Sequence, residues 1–208
     1  GKTSIMSPEL AAFYGLQGTG TPVADGLSRY PMGPQRGGIL TLAGILAAYA
    51  KPSTSSPVLR GKLVRERFLC QSLPPPPAGL NVQLPPVKKD ISNRERFQQH
   101  SNDVKCSFCH QLMDPIGFGF ERFDALGGLI ASGSVASAGS INTTSHTNGD
   151  FDGPIELGEK LADSADGQQC YSLQWVRYAF GVSDDVGARC VADQVLKHFE
   201  SKSFNLKE

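Results

Sequence analysis

The sequence predicts a mainly α fold with long irregular loops. Three observations carry that reading. Apolar residues recur at helical spacing in several stretches. Residues suited to cap a helix stand in front of those stretches. No alternating strand–helix–strand pattern and no internal repeat occurs. The 23 glycines and 14 prolines among 208 residues predict short elements joined by many loops.

The elements follow in order. Ser7-Pro8-Glu9 opens a short helix through Tyr14, ended by Gly15. Residues 17–37 are rich in Gly and Pro and read as loop. Gly38 to Tyr49 reads as a buried helix, because Leu40, Leu42, Ile45 and Leu46 cover most of its circumference. After the connector KPSTSS, Pro57 opens an amphipathic helix. Its apolar positions are Leu59, Leu63, Phe68 and Leu69, and its charged face carries Arg60, Arg65 and Arg67. Four prolines at residues 74–77 end it and favour an extended strap or linker over 74–90.

Ser92 and Glu95 fit a capping box, so a helix should run from Ser92 to about His100. Asp114 and Pro115 read as cap and first residue of another helix, with Ile116, Phe120 and Phe123 on one face. Gly117 and Gly119 in it suggest a close neighbour against the backbone. Residues 127–153 read as a surface loop or small hairpin. Helices are expected again over Ile155–Ala162, Gln169–Phe180 and Gly187–Phe199.

Composition narrows the function. Twenty basic and 20 acidic residues cancel, which leaves no electrostatic footprint for nucleic acid. The longest apolar run, Ile39 to Ala50, is too short to span a membrane. The chain opens at Gly1-Lys2-Thr3, which reads as a mature or trimmed fragment.

Chemistry concentrates in CSFCH, residues 106–110. A redox Cys-x-x-Cys usually follows a strand and starts a helix, whereas the segment before this one is polar and helical. Structural zinc needs a second close pair of ligands, and His100, His146, His198, Cys170 and Cys190 are scattered. Covalent haem attachment uses every position. Cys106 and Cys109 would each form a thioether with a haem vinyl group, and His110 would be the proximal iron ligand. The aromatic-rich flank, with Phe108, Leu112, Ile116, Phe118, Phe120 and Phe123, would wall the macrocycle. Phe108, Ile116 and Phe120 are the leading candidates. The fold expected is thus a cytochrome c-like, haem-binding helical core.

Cys70, Cys170 and Cys190 remain. A disulfide among them would fit an oxidising compartment. Cys170–Cys190 is the favoured pairing, since the two open consecutive helices, and Cys70 is the alternative partner of either.

The surroundings of the motif resemble a known family. RGGILTLAGILA, SSPVLRGKLVRERFLCQSLPPPP, CSFCHQLMDPIGFGFERFDALG, FDGPIELGEKLADS and CYSLQWVRYAFG occur in this order. Together they are similar to the C-terminal part of large secreted cytochrome c-like proteins of planctomycetes and myxobacteria-type bacteria, built from DUF1592, DUF1588 and DUF1585 domains. Gly181-Val182 departs from the family's usual Gly-Arg, and the segment around Ala131-Ser132-Gly133 is also altered. The resemblance implies that residues 1–35 are the tail of a preceding domain. Residues 36–128 would be a haem-bearing DUF1588-like unit, and 129–208 a C-terminal DUF1585-like helical unit. It also implies a periplasmic or extracellular location and further domains upstream.

The sixth iron ligand separates two functions. A filled position suits one-electron transfer, within a larger redox protein or to a partner protein. An open one suits a peroxidase- or oxygenase-like enzyme or a ligand-binding module. His100 is the leading candidate: it lies ten residues before His110 and belongs to the family pattern. Met32 and His146 follow, and Met113 sits too close to His110. Arg94 and Arg96 are candidate partners for the haem propionates.

Overall fold

The computed structural model describes residues 3–75, 92–101, 104–131, 135–183 and 186–205, with side chains at all of these except 98–101 and 104–105. The chain is mainly α, with eight helices and two small sheets among the described residues. The expected proline strap lies outside the described residues from residue 76 on.

The N-terminal segment corrects the loop reading. β1 (Thr3–Met6) precedes α1 (Pro8–Phe13), which Ser7 caps by accepting from the Leu10 amide at 3.3 Å, as its sequence predicts. Residues 17–37 then hold β2 (Thr21–Ala24) and β3 (Leu27–Pro31), and the three strands form an antiparallel sheet in the order β1-β3-β2. Asp25 and Gly26 turn the hairpin at φ 48° and 76°, the conformation in which Asp-Gly is favoured. Surrounding Gly and Pro hid a signal that this dipeptide carries.

The helix expected over Gly38–Tyr49 is broken. A 3-10 turn, Ile39–Thr41, and α2 (Ala43–Ala48) are separated by extended Leu42. Thr41 is the cause: fully buried, its hydroxyl accepts from the Gly37 amide at 2.9 Å and lies 3.1 and 3.2 Å from the Gly37 and Gly38 carbonyls. These local bonds compete with the helical ladder.

α3 (Pro57–Leu63) starts on its Ser56 cap and widens into a π-helical turn, Val64–Phe68. Arg67 is exposed, but Arg60 and Arg65 are 1% and 0% exposed, which corrects the charged-face reading. Arg60 donates to the carbonyls of Asp124 (2.6 Å), Phe123 (2.9 Å), Phe120 (3.2 Å) and Leu46 (3.3 Å). Arg65 reaches Leu112 O (2.9 Å), Gln71 Oε1 (2.6 Å), and both Asn142 O (2.6 Å) and Oδ1 (2.9 Å). A guanidinium has five donors and is weakly hydrated, so a ring of carbonyls can hold it in the interior. Burial lowers the Arg60 pKa to about 10, against the opposing pull of Glu121 and Asp124.

α4 (Asn93–Ser101) begins on the predicted capping box: Glu95 N donates to Ser92 Oγ at 3.2 Å, and Ser92 N donates to Glu95 Oε2 at 3.0 Å. α5 (Val104–Gly117) then runs through Asp114 and Pro115 without a break, so Asp114 caps nothing. Pro115 supplies no amide for the carbonyl four residues back. That carbonyl, Gln111 O, accepts from Asn142 Nδ2 at 3.2 Å, and its neighbour Leu112 O accepts from Arg65. The glycines mark the expected close approach. A Cβ on Gly61 would stand 1.9 Å from Met113 O, and one on Gly117 1.9 Å from Pro57 O. α3 and α5 therefore touch backbone to backbone.

β4 (Ala138–Ile141) and β5 (Gly149–Asp152) form the small hairpin allowed for residues 127–153, followed by α6 (Gly153–Ala162), α7 (Ala165–Phe180) and α8 (Val186–Ser201). Ile141, Phe151, Leu157 and Leu161 join Leu46, Val64, Ile116, Phe120 and Phe123 in the main core. Packing is thus continuous across the boundary expected near residue 128. α7 and α8 pack through Leu173, Val176, Ala188 and Ala192.

The disulfide joins Cys70 to Cys170, with Cα atoms 5.3 Å apart, and not Cys170 to Cys190. Cys170 is buried against the end of the π turn, whereas Cys190 is exposed on α8. The bridge ties α7 to the segment just after the π turn and leaves Cys190 as a free thiol.

Two outcomes follow. Arg60→Leu strips the carbonyls of Leu46, Phe120, Phe123 and Asp124 of their shared donor. Urea unfolding should show a loss of roughly 4 kcal/mol or more, at about 1–3 kcal/mol for each of the buried carbonyls left unsatisfied; a loss under about 1 kcal/mol would contradict the clamp. Non-reducing peptide mapping should recover Cys70 linked to Cys170 and an alkylatable Cys190. Replacing the pair by alanine should cost about 4–5 kcal/mol for a loop of this length.

Candidate functional site

The candidate site is the first half of α5. Helical spacing puts Cys106, Cys109 and His110 at i, i+3 and i+4, which is one side of the helix. The same stripe continues to Met113 and Gly117, the residues pressed against α3. The motif therefore sits at the end of a rigid two-helix contact. Two side chains from outside brace that helix: Arg65 at Leu112 O, and Asn142 of the β4–β5 loop at Gln111 O.

Cys106 is buried, Cys109 half-buried, and both are free thiols that are not joined to each other. His110 is held within its own helix. Its Nδ1 lies 2.9 Å from Asp114 Oδ2, and the two side chains are 15% and 5% exposed. Asp114, read from the sequence as a helix cap, is thus the partner of the motif histidine. The i, i+4 spacing of His110 and Asp114 carries that signal, since such residues face each other on a helix.

The other candidates are dispersed. Phe108 is on the outer side of the motif helix and 69% exposed, whereas Ile116 and Phe120, at 0% and 1%, are in the main core beside Val64. Met113 is buried against Gly61. Met32 is packed with Met6, Tyr14 and Tyr30 under the N-terminal sheet. His100 is in the last turn of α4, and its side chain is outside the described residues. His146 is exposed, with its backbone amide on Asp166 Oδ2 at 2.7 Å, and His198 is exposed on α8. Arg94 lies over the Phe118 ring at 4.4 Å and donates to Ala138 O. Arg96 is buried, donating to Asn93 Oδ1 at 3.0 Å. These contacts turn both arginines away from the solvated helix face.

Sequence reading missed a buried polar node beside α5. Glu121 accepts from Ser55 Oγ at 3.3 Å, and Asn93 Nδ2 donates to the same hydroxyl at 2.8 Å. Burial pushes the Glu121 carboxyl above its usual range, opposed by Asn93, Arg60, Ser55 and Arg94. A separate cleft of about 940 Å³ opens between residues 33–40, α6 and α7, lined by Ile39, Leu40, Phe68, Ile155 and Tyr171; residues 106–110 do not line it. Among the described residues, no three or more His, Cys, Asp or Glu side chains are grouped to hold a metal ion. No described helix is long and apolar enough to cross a membrane.

No curated protein and no solved structure matches the chain. A family model does match: PSCyt3, described as a protein of unknown function (DUF1588), over residues 36–132. That span holds α2 to α5, the buried Arg60 and Arg65, and the whole of CSFCH. The DUF1588 resemblance is therefore borne out for the segment that carries the motif.

Proposed function

We propose that the chain is a secreted c-type cytochrome module carrying one covalently attached haem, and that its work is one-electron transfer. The observation that carries the reading is that Cys106, Cys109 and His110 of CSFCH share one side of a braced helix, with the two thiols not joined to each other. Cys106 and Cys109 would hold the haem through thioethers, and His110 would bind its iron. The haem would supply the redox chemistry; the chain fixes the two sulfurs and the imidazole in a shared frame. Ile116 and Phe120 support the helix from the core.

An oxidising compartment is part of the same reading, supported by the Cys70–Cys170 bridge. Electron donors or acceptors would be upstream domains of the same protein or a separate redox protein. His100 remains the leading candidate for the sixth ligand, ahead of Met32 and His146. Met32 would first have to leave its packed cluster.

Visible spectra of the protein matured with haem-attachment machinery, oxidised and then reduced with dithionite, test the function. A sharp reduced α-band from six-coordinate, low-spin iron is expected. A high-spin spectrum that shifts with peroxide, cyanide or CO would overturn electron transfer in favour of an open distal site. His100→Ala should convert the low-spin spectrum to the high-spin one if His100 is the sixth ligand.

A further inference from the structure

We infer that Asp114 is the positioning residue of His110, and that its carboxylate biases the proposed iron centre toward the oxidised state. The inference rests on the haem reading above, but its first half stands on geometry alone. His110 Nδ1 and Asp114 Oδ2 are 2.9 Å apart, one helical turn from each other, in side chains 15% and 5% exposed. A carboxylate accepts and does not donate, so the proton of a neutral imidazole facing it belongs on Nδ1. That tautomer leaves the lone pair on Nε2, the nitrogen a metal can take.

The helix makes the arrangement stiff. Asp114 follows Met113, whose carbonyl is in contact with Gly61, and precedes Pro115, whose ring fixes φ. The backbone that carries the carboxylate is thereby held one turn from His110. Carboxylates behind a metal-bound histidine orient the ring and raise its basicity. A more basic donor stabilises ferric over ferrous iron. Reduction adds one electron at the iron, supplied by dithionite in the test, and the Nδ1 proton stays on His110 throughout. The expected bias is therefore toward a low midpoint potential.

The test uses Asp114→Asn, Asp114→Ala and the conservative Asp114→Glu, with folding checked by circular dichroism. On protein without haem, nitrogen-15 NMR of the His110 ring should show the proton on Nδ1, and Asp114→Ala should move it mainly to Nε2. On haem-bearing protein, Asp114→Asn should raise the midpoint potential by a tenfold or greater shift in the reduction equilibrium, 59 mV for one electron. Asp114→Glu should restore part of the difference. A wild-type proton on Nε2 overturns the positioning role. An unchanged potential in folded, haem-bearing Asp114→Asn overturns the redox bias. A chain that takes up no covalent haem overturns the redox half together with the function beneath it, while the tautomer still decides the hydrogen bond.

Discussion

Buried guanidinium groups bonded to backbone carbonyls hold this fold together. Arg60 gathers the end of α2 and the turn after α5 through four carbonyls. Arg65 joins the π turn to α5 and to the β4–β5 loop. Arg36 adds a third clamp: it donates to Thr41 O at 2.8 Å and Gly127 O at 2.7 Å while lying over the rings of Tyr14 and Phe123. None of the three relies on a carboxylate as its main partner. Residues 36–42 and 120–128 have local hydrogen bonds of their own, and these donors tie the two segments to each other and to α2 and α3. A gly-rich chain with short elements needs such ties, because its apolar residues alone define each turn loosely.

The clamps also explain the condition of α5. A proline inside a helix normally leaves a carbonyl without its amide. Here Asn142 and Arg65 supply donors at Gln111 O and Leu112 O, so the helix continues through Pro115 to Gly117. Continuity matters for the site: it keeps Asp114 in register with His110 and the whole stripe in register with α3. A helix that restarted at Pro115, as the Asp-Pro dipeptide suggested, would have separated the motif from its carboxylate.

Much of the fold was legible where local rules decide it. Ser7, Pro57 and the Ser92/Glu95 box mark helix starts because capping involves only near neighbours. Gly117 and Gly119 were read as sites of close approach, and they are: Gly117, like Gly61, meets a backbone, and Gly119 meets the Phe151 ring. What was hidden depends on partners far along the chain. Arg60 and Arg65 have the spacing of a solvent face, and most of the carbonyls that make their burial possible are 47 to 77 residues away. The disulfide partner of Cys170 is 100 residues distant for the same reason. At the site, the residue types of CSFCH were plain in the sequence, but the role of Asp114 was masked by a competing local rule, the N-cap preference of aspartate before proline. Ile116 and Phe120 share a helical face with the motif's continuation, yet the α3 contact draws them into the core.

Covalent attachment at Cys106 and Cys109 is the claim on which the functional account stands. The most direct measurement is the intact mass of the protein matured with haem-attachment machinery, followed by proteolysis and sequencing of the haem-bearing peptide. The account predicts one haem added to the chain, carried by the peptide that contains residues 106–110, with both cysteines of that peptide closed to alkylation. An unmodified mass with Cys106 and Cys109 open to alkylation would contradict it.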